Sequence, residues 1–75
     1  MTLLEAEPGR PIRILAITDE QTRAQCIRLG IGEGSVVDSA ERIPLGPVLV
    51  RHRSQEICLG RKLAQRILVE KVLEA

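Results

Sequence analysis

The sequence has no Phe, Tyr or Trp among its 75 residues. That absence excludes two kinds of binding surface. Single-strand nucleic-acid binders stack bases on aromatic rings, and binders of proline-rich peptides use aromatic-lined grooves. Net charge is almost lacking too. Eleven Lys+Arg against ten Asp+Glu leave +1, without the basic excess that binding to phosphates requires. No apolar run approaches the ~18 residues of a membrane span. The start, Met-Thr-Leu-Leu-Glu-Ala-Glu-Pro, has neither the basic nor the long apolar region of a secretory signal. Cysteine is scarce, and Cys26 and Cys58 stand far apart. They read as two reduced thiols of a cytoplasmic protein. No nucleic-acid partner and no membrane insertion are expected.

What is present is aliphatic. Apolar residues make up 44% of the chain, enough for a compact core of Ile, Leu, Val and Ala. The length suits one domain over residues 1–75. A domain of this size buries only roughly 60% of its unfolded surface, which leaves little room for an elaborate buried site.

The clearest local signal is Pro47–Leu59, a β-hairpin. Val48, Val50 and His52 alternate with Leu49, Arg51 and Arg53, and Ile57-Cys58-Leu59 forms the return strand. A loop at Ser54-Gln55 would pair Arg53 with Glu56, His52 with Ile57 and Val50 with Leu59, keeping the apolar set on one face. Ser-Gln is poor chemistry for such a tight turn.

Upstream, Pro8-Gly9 marks a turn and Pro11–Ile17 a strand in which Ile12, Ile14 and Ala16 share a face. Thr18 with Gln21 resembles a capping box that opens a helix running to about Leu29. The expected apolar side of that helix is Cys26, Ile27 and Leu29, with Ala24 nearby, and Gly30 closes it. Gly32-Glu33-Gly34-Ser35 is a turn; it lacks the third glycine and the Lys-Ser/Thr of a phosphate loop. Val36–Arg42 reads as a second strand, and Ile43–Pro47 as a loop with apolar side chains at its tip. From Gly60 onward the pattern is ambiguous. Leu63, Ala64, Ile67, Leu68, Val72 and Ala75 fall at helical spacing, while Ile67–Glu70 also suits a short strand.

Chemistry-bearing residues are sparse. The one histidine, His52, ends the apolar face of the hairpin and reads as a partly buried histidine. Cys26 reads as a small core residue. The acidic residues, from Glu5 to Glu74, are scattered and form no hard-cation cluster. A non-enzymatic protein is expected, with no catalytic residue, no cofactor and no metal ligand set.

Four runs carry a family resemblance: Leu29–Ser35, Pro44–Val50, Ile57–Arg61 and Ile67–Glu70. With Leu3-Leu4 and Pro8-Gly9, in this order and spacing, they resemble FeoA, a family of small bacterial proteins of ferrous iron uptake. The resemblance implies a mainly β fold, a small SH3-like barrel of about five strands. One helix follows the first strand, and a short helical turn at Arg61–Gln65 precedes a last strand at Ile67–Glu70. It also implies a role as accessory partner of FeoB, the membrane ferrous iron transporter. Four positions depart from the family: Glu33 where Pro is frequent, Ser54 where Gly would suit the turn, His52 where an aliphatic is usual, and Gly60 where a basic residue is common.

Two surface patches are the expected partner-binding sites. One is the loop tip, Ile43, Pro44 and Leu45, an apolar cluster. The other is the outward hairpin face, Arg51 and Arg53, suited to an acidic surface. Rival readings are a regulatory SH3-like domain of the kind found in metal-dependent repressors, an RNA-associated barrel, and a transition-metal-binding module centred on His52.

Overall fold

A computed structural model describes residues 1–72. Ala75, which extended the helical spacing, and Glu74 lie outside the described residues. A 3₁₀ turn, Leu3–Glu5, comes first. It is followed by β1 (Ile12–Ile17), α1 (Glu20–Arg28), β2 (Val36–Val37), β3 (Ser39–Arg42), β4 (Val48–His52), β5 (Gln55–Leu59), α2 (Arg61–Ala64) and β6 (Ile67–Lys71). The fold is mainly β. Among the described residues, six strands, where about five were expected, form two antiparallel three-stranded sheets in the orders β2-β1-β6 and β3-β4-β5. The two ladders do not join into a closed ring.

The single strand expected over Val36–Arg42 is two strands broken at Asp38. β2 pairs with β1, whereas β3 pairs with β4, so the chain crosses from one sheet to the other at this residue. A bend of this kind makes a corner between packed sheets. The Asp38 N–H donates to Arg51 C=O at 2.9 Å and fastens the corner to β4.

Strand β1 also departs from plain alternation. Ile12, Ile14 and Ile17 are buried, and Ala16 is half-buried. The register against β6 shifts between Ile14 and Ala16, from Ile14↔Val69 to Ala16↔Leu68. Leu15 stays outward, as alternation gives, and the bulge after it brings Ile17 to the core face in place of Ala16. Two-residue periodicity could not show this.

In α1, Asp19 is the N-cap rather than Thr18; its carboxylate accepts the Thr22 N–H at 2.9 Å. The buried side is Thr22 and Cys26, four residues apart. Ile27 is 62% exposed, and Leu29 and Ala24 also face outward, so the expected apolar side was rotated from the real one. The ending is as expected. Gly30 at φ 82° donates to Ile27 C=O, and Ile31 N–H donates to Cys26 C=O, a Schellman closure that buries Ile31.

The hairpin register is corrected. Val48 faces Leu59, Val50 faces Ile57 and Arg51 faces Glu56. The loop is Arg53-Ser54, both at positive φ (50° and 66°), as a type I′ turn requires. The expected pairing was two residues away, a slip that keeps every side chain on its own face. The apolar pattern therefore cannot choose between the two. The observed register pairs Val48 with Leu59 as well, and so buries one more aliphatic couple. The inward set, Val48, Val50, Ile57 and Leu59, is buried as expected.

The last segment is α2 followed by β6, with Ile67 and Val69 buried. Pairing with β1, including the directly opposed Arg13–Glu70 ion pair at 3.1 Å, settles strand over helix. One continuous aliphatic cluster, from Leu3 to Val69, fills the space between sheets and helices.

Candidate interaction surfaces

Near the end of β1 a small polar network holds three elements together. Glu33 Oε2 accepts the Ile17 N–H at 3.0 Å, and Arg23 donates to Ile17 C=O at 2.9 Å. Arg23 and Glu33 face each other at 3.5 Å. Glu33 sits in the turn closed by Ser35 N–H to Gly32 C=O, with Gly34 next at φ 90°. Proline would suit the place of Glu33 in such a turn. Glu33 instead provides an acceptor that proline lacks.

The loop tip between β3 and β4 is a turn of the same build. Gly46 N–H donates to Ile43 C=O at 2.8 Å, and Ile43 N–H to Pro47 C=O at 3.1 Å. Pro44 takes the second place. Leu45 takes the third, at φ 59°, where glycine is favoured. Leu45 is 99% exposed, Ile43 is 42% exposed, and Pro44 is exposed beside them.

Arg51 and Arg53 lie toward the other end of β4. Five residues of strand separate this end from the loop tip, roughly 15 Å at strand rise. The two patches are therefore not one surface. Arg51 is engaged with Glu56 across the hairpin at 3.0 Å. Arg53, in the turn itself, makes no ion pair among the described residues. His52 is half-buried and borders a shallow depression with Asp38, Arg53 and Gly34. Cys26 is buried, Cys58 is exposed, and both are free thiols. Burial pushes the Cys26 thiol up from its ordinary value. Among the described residues, no three His, Cys, Asp or Glu side chains gather as a metal site.

Sequence reasoning missed a third surface. A groove runs between α1 and the α2 region. One part, of about 400 Å³, is bordered by Gln21, Gln25 and Arg28 on one wall and Lys62, Leu63 and Arg66 on the other. A second part, of about 310 Å³, shares Gln25, Arg28 and Leu63 with it and continues to Leu29, Cys58 and Leu59. Lys62 and Arg66 stand close together in the sequence. That α1 faces them is not legible there, because the pairing is made by tertiary packing.

The sequence profile of the FeoA domain matches residues 1–71. The chain belongs to the FeoA family. FeoA domains are linked to ferrous iron transport and are not a known enzyme family. Among solved structures, the solution NMR structure of the FeoA protein from Chlorobium tepidum is similar, with a TM-score of 0.81 and 24% identity. That similarity covers 97% of this chain and 71% of the other, and it speaks for a FeoA-like fold. No curated protein matches. Among the described residues, no helix is long and apolar enough to cross a membrane.

Proposed function

We propose that this FeoA-family chain is a single, non-enzymatic cytoplasmic accessory module for ferrous iron uptake, which binds the cytosolic part of a FeoB-type transporter. In this reading the two sheets, hinged at Asp38, act as a small SH3-like barrel whose interior is fold and whose loops meet the partner. The observation that carries the proposal is Leu45. A leucine in left-handed backbone costs ~1–2 kcal/mol, and this one, being fully exposed, recovers nothing from the core. Strain of this kind, kept where packing does not require it, points to a binding role. Ile43 and Pro44 complete the apolar tip. Arg53 is the more available of the two hairpin cations, since Arg51 is already paired.

Titration calorimetry with the transporter's cytosolic part tests the reading. Leu45→Glu is expected to weaken binding more than tenfold, as loss of a central apolar anchor does. Arg51→Glu/Arg53→Glu is expected to weaken it less and to reduce its salt dependence. Unchanged affinity in both variants discards the proposal.

A further inference from the structure

The groove between α1 and α2 has a charge pattern unlike the rest of the chain. Acidic and basic residues are nearly balanced overall, ten against eleven. Among the described residues, the two parts of the groove are bordered by Arg28, Lys62 and Arg66 and by no carboxylate. Arg66 is partly engaged with Asp19, at 3.6 Å. Arg28 and Lys62 make no ion pair among the described residues. Aliphatic side chains lie among these cations, mainly in the second part of the groove. Leu63 is half-buried in the shared stretch, and Leu29 is 40% exposed further along. Gln21 and Gln25, one helical turn apart, put amide donors and acceptors on one wall.

We propose that this groove binds an acidic, aliphatic-containing segment of a partner protein. Carboxylates of the segment meet Arg28 and Lys62, an aliphatic side chain lies against Leu63 and Leu29, and Gln25 bonds the segment's backbone. Charge complementarity selects the occupant: unpaired cations beside Leu63 and Leu29 favour carboxylates flanking an aliphatic residue. The missing aromatics argue against a single-stranded nucleic acid here. The proposal is independent of the transporter assignment, because its probe is a synthetic peptide. Failure of either one leaves the other standing.

The experiment is a titration of the isotopically labelled full chain, followed by amide NMR, with a short acetylated Glu-Leu-Glu-Glu-Leu-Glu peptide. Saturable shifts are expected in α1 and over Gly60–Arg66, with the Leu45 turn unmoved. Arg28→Glu/Lys62→Glu is expected to bind about tenfold more weakly, the order set by two partly exposed charge contacts. Because both side chains project outward, its spectrum reports folding directly; Arg28→Gln serves as a second, milder variant with a smaller loss. The same peptide with Lys in place of Glu is expected not to bind. The proposal is overturned by absence of saturable shifts, by shifts confined to other surfaces, or by equal binding of the variants or of the lysine peptide. It is also overturned if oligouridine RNA or phosphatidylserine vesicles occupy these residues more tightly than the acidic peptide.

Discussion

Leu45 and Gly34 occupy the same place in two turns of the same build, at φ 59° and 90°. Glycine takes that conformation freely, and leucine does not. The chain therefore has the conventional solution at one turn and withholds it at the other. Arg53 and Ser54 are a second case, with consecutive left-handed residues in the hairpin loop. Ser54→Gly removes strain without touching a packed side chain. It is expected to add about 1 kcal/mol, raising the thermal midpoint by ~4–8 °C for a domain of this size. A midpoint that stays or falls would show that the turn is not strained. Asp19 makes a pH-dependent contribution. The backbone N–H of Thr22, then its hydroxyl, hold the carboxyl below its ordinary value of 3.8. Its share of stability is thus complete above that value and is lost as pH falls through the lowered native one. Asp19→Asn keeps the cap but cannot titrate. Thermal melts across the acid range should fall less steeply for the variant than for the parent; parallel curves would refute the assignment.

At the scale of elements, the sequence was most legible where one periodicity acted alone. The inward set of the β4–β5 hairpin and the Gly30 closure of α1 could both be read from spacing. Register could not, because a two-residue slip leaves Val48, Val50, Ile57 and Leu59 on the same face. Nor could the bulge at Leu15 or the corner at Asp38, where the backbone changes phase to serve a second sheet. The buried face of α1 is not the one apolar spacing marks, because Thr22, bonded through its hydroxyl to Asp19, is buried while Ile27 is not. Bare periodicity left Ile67–Lys71 open between helix and strand, and pairing with β1 decided it. Of the surfaces, the loop tip was legible as an apolar run in a Pro/Gly setting. The groove was not, since its two walls are about forty residues apart. Glu33 links three elements through the backbone of Ile17. Glu33→Ala should cost about 1–2 kcal/mol by leaving that N–H without its acceptor, read as a lower denaturant midpoint at unchanged slope. No change would show that water replaces the carboxylate.

At the scale of the molecule, one aliphatic core holds two open sheets, and the features that packing does not require are outside it. The Leu45 tip and the Arg53 turn stand at opposite ends of β4, and the basic groove is formed by the helices. A partner that engages the tip need not cover the groove. This separation is why the surfaces can be tested one at a time, and why the turn strain at Leu45 is the most informative. If that strain is kept for binding, stability and affinity must move in opposite directions when it is relieved. Leu45→Gly, measured for thermal midpoint and for calorimetric affinity to the transporter's cytosolic part, tests this directly. Strain kept for binding gives a higher midpoint together with binding weakened about tenfold or more; a higher midpoint with undiminished binding would mean that the strain serves no partner.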